Sequence, residues 1–175
     1  MNSASLTAGA TPRPVRLVHQ GQVRTISGLS PTLSVLEWLR TEAHCTGTKE
    51  GCAEGDCGAC TVIVAELSEP APQVAPNATA AAAGSSSETP ASSGIRVGPL
   101  LLRPINACIR FLPTLDGKAL LTVEDLADKG QLHPVQQAMV DTHASQCGFC
   151  TPGFTMTLAA CYEQHQQAGT RPDRQ

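Results

Sequence analysis

The segment from Gly51 to Val62 reads G-C-A-E-G-D-C-G-A-C-T-V and places Cys52, Cys57 and Cys60 in one glycine-rich loop. No other stretch restricts the possible folds so tightly. The spacing C-x4-C-x2-C is the plant-type arrangement of thiolates for a [2Fe–2S] cluster, which takes a fourth cysteine from further along the chain. Thiolates suit iron because they are soft, anionic donors. Gly51, Gly55 and Gly58 are expected to allow left-handed backbone and close approach, so that amide N–H groups turn toward the cluster sulfurs. The competing reading is a zinc knuckle or a set of buried, unliganded thiols, since zinc sites also use C-x2-C pairs. That reading leaves Cys52 without a role.

Eight cysteines in 175 residues, with no signal peptide and no long apolar run, point to a reducing, cytoplasmic setting in which thiols hold metal instead of pairing as disulfides. The net charge of −3 and the scattered lysines and arginines give no electrostatic footprint for nucleic acid. No stretch approaches the roughly 20 apolar residues of a membrane span. The length suits one ordinary domain or two small ones, and the cysteine pattern favours two. Phe111, Phe149 and Phe154 each lie within four residues of a cysteine. They would either shield a redox centre or pack in the core.

Residues 1–13 are polar and rich in small side chains, and read as a disordered lead-in. Val15 to Ile26 forms two short alternating runs about Gly21, a β-hairpin signal. Ser30-Pro31 resembles an N-cap with proline at the first helical position, and Leu33, Leu36, Trp38 and Leu39 continue an apolar stripe, so a helix is expected over Pro31 to Glu42. Cys45 fits no ligand spacing and is expected to be structural. Thr61 to Leu67 is a β-branched, apolar strand. Residues 68–94 form an Ala/Ser/Pro/Thr tract too poor in apolar anchors to offset its ordering entropy, and read as a disordered insert.

A strand is expected from Val97 to Ile105, leading into Asn106-Ala107-Cys108. Returning beside Thr61 to Leu67, it would bring Cys108 back to the loop as the fourth ligand. The long connection does not forbid this, because loop closure scales with the logarithm of length and a fivefold longer connection costs only about 1.4 kcal/mol. Asp116-Gly117 marks a turn.

From Thr122 the pattern becomes helical, with T-V-E-D-L as a capped turn and His133-Pro134 opening a helix. Thr151-Pro152 caps a further helix that runs to about Gln167, and the preceding C-x2-C, Cys147 and Cys150, would stand at its start. Helix-terminal amides favour an anionic group at Cys150. By spacing alone the pair could also be a redox disulfide or half of a zinc site. Cys161 is expected in the core, and the five histidines are expected at the surface or as caps.

Three segments, Thr48-Lys49-Glu50-Gly51-Cys52 through Cys60, Asn106-Ala107-Cys108, and Gln146-Cys147-Gly148-Phe149-Cys150-Thr151-Pro152-Gly153, together resemble the iron–sulfur part of the molybdenum hydroxylases. Leu132-His133-Pro134-Val135-Gln136 extends the likeness, which is greatest to the small subunits of bacterial xanthine dehydrogenases. The resemblance implies an α+β fold: a β-grasp, ferredoxin-like [2Fe–2S] domain over 14–118, then a four-helix [2Fe–2S] domain over 119–175 that is incomplete at its C-terminus. It assigns Cys52, Cys57, Cys60 and Cys108 to a first cluster, and Cys147 and Cys150 to a second, whose other two ligands would come from a Cys-x-Cys segment beyond Gln175. It further implies an oxidoreductase in which electrons pass from a molybdopterin centre through both clusters to FAD and then NAD during purine hydroxylation. The expected partners are an FAD domain and a molybdenum-binding large subunit, and the chain is not expected to be catalytic alone.

Overall fold

The computed structural model describes residues 13–68 and 94–169. The expected lead-in, apart from Arg13, and the expected disordered insert, apart from Ser68 and Gly94, lie outside the described residues. The described residues form six strands, β1 (Val15–His19), β2 (Gln22–Ile26), β3 (Thr61–Leu67), β4 (Ile95–Val97), β5 (Leu100–Asn106) and β6 (Ala119–Leu121), with three α-helices, α1 (Val35–Thr41), α2 (Pro134–Asp141) and α3 (Thr151–Ala168). The strands form one mixed sheet in the order β2-β1-β6-β3-β5-β4. The β1–β6 pair is parallel and the other pairs are antiparallel.

The sheet is covered on both faces. In β3 alternate side chains point opposite ways: Val62 and Val64 face α1 and join Leu17, Leu39 and Leu120 in the main core. Ile63 faces the other way, onto Met156 and Ala160 of α3. This two-sided burial is why Thr61–Leu67 reads as a continuous apolar run instead of an alternating one. It also fixes α3 as a second layer on the sheet.

The expected hairpin forms, with Val15 opposite Ile26 and His19 opposite Gln22. In the second half, Thr122 and Asp125 close a capping box around a short 3-10 turn, and His133 with Gln136 closes another at the start of α2. Two α-helices of the expected helical region, α2 and α3, are present among the described residues.

Four expectations are corrected. The helix begins four residues later than Pro31: Ser34 caps α1, its hydroxyl accepting from the Glu37 amide. The reason is non-local, because the Val35 and Leu36 amides donate to the carbonyls of Arg110 and Ala107, and Ser34 bridges to Phe111. The strand expected from Val97 to Ile105 is a hairpin, β4 and β5, turned at Gly98-Pro99 with Gly98 left-handed at φ 58°. The short strand β6, expected from the sequence to belong to the helical domain, fills the gap between β1 and β3. The boundary expected after residue 118 therefore falls inside the sheet.

His19 is the fourth correction. It is buried at 1% exposure instead of lying at the surface, since the period of two that buries Val15 and Leu17 buries it as well. Its ring stands edge-on to Trp38.

Candidate metal centre

The β3–β5 ladder builds one side of the site. Its last pair, Thr61 opposite Asn106, brings Cys60 and Cys108 together just beyond the strand ends. The Ala107 amide donates to the Cys60 carbonyl, and α1 holds the Cys108 segment through the Leu36 and Val35 amides. The Cys60 and Cys108 sulfurs are 3.3 Å apart. Burial, and secondarily the neighbouring Cys60 thiol, push the Cys108 thiol up to about 11. The bare Cys108 thiol therefore resists ionising, whereas a bound metal ion would favour its thiolate.

The other side is the loop preceding β3. Arg40 of α1 donates to the carbonyls of Thr46 and Thr48, and the Gly47 amide donates to Glu124, so the loop is fastened before it reaches the first cysteine. Cys52 Sγ then accepts from the amides of Glu54, Asp56 and Cys57 at 3.4 to 3.5 Å. These backbone bonds, with one from the Cys57 thiol, lower the Cys52 thiol to about 6. A nest of successive N–H groups is a concavity for anions. The loop also accepts from outside: Asn106 Nδ2 donates to the Gly55 carbonyl and ties the loop of the first three cysteines to the strand that leads to the fourth.

Two of the three glycines are left-handed, Gly55 at φ 84° and Gly58 at φ 71°, and Ala53 at φ 60° joins them. Gly51 does not share that conformation, and its role is clearance. A Cβ there would stand 2.7 Å from Cys57 Sγ.

Cys60 and Cys108 form a hydrogen-bonded thiol pair, while Cys57 acts on Cys52 through its backbone amide. Among the described residues, no three His, Cys, Asp or Glu side chains gather into a single-ion shell. A [2Fe–2S] unit takes two donors at each of two irons, and the paired thiols, the amide nest and the cleared space at Gly51 fit that group.

The second cysteine pair lies elsewhere. Cys147 and Cys150 are both exposed, and Cys150 is itself the N-cap residue of α3, with Pro152 in the first turn. Cys161, expected in the core, is exposed on the groove between α2 and α3. Phe111, Phe149 and Phe154 are about half exposed and pack no core. Cys45 is buried, as its structural role required, but its surroundings were not foreseen. Its sulfur lies 3.4 Å from His19 Nε2 and accepts from the Gln20 amide group. His19 Nδ1 donates to the Leu120 carbonyl, which leaves Nε2 facing the Cys45 sulfur, whose thiol donates to the Ala43 carbonyl at 3.6 Å. Burial raises the Cys45 thiol above its ordinary range, which keeps it an apolar, protonated packing group.

Residues 17–85 match the family described as a 2Fe-2S iron-sulfur cluster binding domain, and residues 122–175 match a [2Fe-2S] binding domain. Relatives include the xanthine dehydrogenase of Blastobotrys adeninivorans, 35% identical over 89% of this chain, and aldehyde oxidase 1 of Rattus norvegicus, 33% identical over 84% of it. The chain spans 9% of the length of each. Among solved structures, the aldehyde oxidoreductase of Desulfovibrio desulfuricans superposes with a TM-score of 0.61 and 27% identity, over 87% of this chain and 13% of that one. This chain belongs to the iron–sulfur part of the molybdenum hydroxylases. The quinoline 2-oxidoreductase of Pseudomonas putida shares the fold at a TM-score of 0.61 and 21% identity, and there the likeness covers 94% of this chain and 85% of that one. The two cysteine sets differ in setting: one lies at the ends of β3 and β5 and in the loop before β3, and the other heads a helix that docks on the sheet face opposite α1.

Proposed function

We propose that the chain is the electron-transfer module of a xanthine dehydrogenase-type oxidoreductase, conducting electrons from a molybdenum centre toward FAD and NAD, and that it works with an FAD domain and a molybdenum-binding partner. Cys52, Cys57, Cys60 and Cys108 hold one [2Fe–2S] cluster, and Cys147 and Cys150 supply two ligands of another. The observation that carries this reading is the Cys60–Cys108 thiol pair at the strand ends together with the preceding loop, whose amides converge on Cys52.

A bound [2Fe–2S] group supplies one-electron redox chemistry without taking up substrate. The protein's part is to set charge, burial and access. The Glu54, Asp56 and Cys57 amides oppose negative charge at Cys52. Cys60 is buried at 2% exposure while Cys57 faces solvent, so the site has a closed side against the sheet and an open side toward a docking partner. Hydrogen bonds to sulfur and solvent exposure are the levers that tune such a centre's potential.

Anaerobic reconstitution with iron and sulfide tests the reading. The expected product is reddish-brown with acid-labile sulfide. Cys57→Ser should abolish assembly at the first site, because a harder oxygen donor replaces a thiolate. Cys45→Ala should keep its iron. A colourless, zinc-containing protein would overturn the iron reading, and iron loss in Cys45→Ala would overturn the ligand assignment.

A further inference from the structure

Gly153 lies in the first turn of α3, three residues after Cys150, and is buried. A Cβ added there would collide with the Gly58 carbonyl oxygen and would stand 2.9 to 3.0 Å from the carbonyl carbon and Cα of Ala59. Both partners are backbone, so no side-chain rotation relieves the contact. The backbone is also pinned. The Gly58 oxygen accepts from the Thr61 amide at 3.1 Å and from the Thr61 hydroxyl at 2.7 Å, Gly58 itself is left-handed at φ 71°, and the Ala59 carbonyl accepts from the Lys49 amide at 3.4 Å. Gly58 and Ala59 are the two residues between Cys57 and Cys60. The helix headed by Cys150 therefore touches the first thiolate set backbone to backbone, at the one point in its first turn where a side chain is missing.

Resting on the proposed electron-transfer role, we propose that Gly153 is a positioning residue that sets the separation between the two cysteine sets. Its missing side chain brings Cys150 within one helical turn of the Cys57–Cys60 loop. Any side chain at 153 must push α3 away from the loop or distort the loop that carries two ligands. Glycine in a helix interior is otherwise unfavourable relative to alanine, so a residue without this duty would be stabilised by Gly153→Ala.

The test uses the complete iron-loaded enzyme containing this chain. In the dithionite-reduced parent, two paramagnetic centres this close should split each other's low-temperature resonance lines, an effect that falls with the cube of their separation. Gly153→Ala should reduce the splitting while the g-values and the iron content per chain stay unchanged, and should lower the melting temperature instead of raising it. Thr61→Val adds no bulk and removes one of the two bonds that hold the Gly58 carbonyl. It should weaken the splitting to a smaller extent, and it decides the matter should Gly153→Ala fail to assemble. Splitting identical to the parent in whichever variant assembles, or a Gly153→Ala protein more stable than the parent, overturns the inference. A parent without iron overturns the electron-transfer reading instead.

Discussion

Loading the 175-residue chain with iron and sulfide should yield one [2Fe–2S] cluster per polypeptide, although two sets of cysteines are present. Four thiols, Cys52, Cys57, Cys60 and Cys108, are the ligands proposed for that cluster. Of the remaining four, Cys45 is 4% exposed and hydrogen-bonded to His19 in the core, and Cys147 and Cys150 are two donors where four are required. Cys161 is the candidate to complete them. It lies on the same continuous helix as Cys150, which is its N-cap. Eleven residues at 1.5 Å each separate the two by about 16 Å along the axis. The irons of one cluster lie only a few ångströms apart, so no single unit spans that distance. Electron paramagnetic resonance of the reduced, reconstituted chain should integrate to about one spin, and Cys161→Ala should leave the signal unchanged. Two resolved signals integrating to about two spins would refute the reasoning, as would loss of signal on replacing Cys161.

Two further outcomes are expected. Met156→Ala removes a side chain that is 1% exposed between α3 and Ile63, and should cost about 2–5 kcal/mol, measured as a lower denaturation midpoint with an unchanged slope. A loss well below 1 kcal/mol would mean that α3 does not dock on the sheet. Glu66 bonds Lys118 at 2.9 Å and Arg103 at 3.2 Å, and Lys118 above all holds its carboxyl below the ordinary value of 4.5. Because the folded value is depressed, its stabilisation is present above the unfolded pKa and is lost as pH falls through the folded one. Glu66→Gln should therefore cost up to about 1 kcal/mol at neutral pH and nothing once the parent's carboxyl is protonated, which urea titrations at pH 7 and pH 3 would compare. An equal loss at both would disprove the ion-pair account.

Local chemistry was legible in the sequence. The thiol spacing of Cys52, Cys57 and Cys60, the strand Thr61–Leu67, the hairpin about Gly21 and the capping residues Thr122 and His133 each depend on side chains a few positions apart, which is the range over which spacing and capping act. The return of Cys108 was also legible, because an antiparallel partner of β3 ends beside the residue where β3 begins. Tertiary structure decided the rest. The start of α1 was set by carbonyls of Ala107 and Arg110, some seventy residues downstream in sequence, which no local cap reveals. Strand β6 is three residues long and exists because β1 and β3 leave a slot between them. His19 carried its signal in the alternation Val15, Leu17, His19, but only the packing of Trp38 and Cys45 shows why a histidine belongs there. Gly153 closes the Gln146–Gly153 motif, but the motif does not say why a glycine stands there. The Gly58 and Ala59 backbone, roughly a hundred residues away, leaves no room for a Cβ, and contacts between distant backbones leave no trace in spacing.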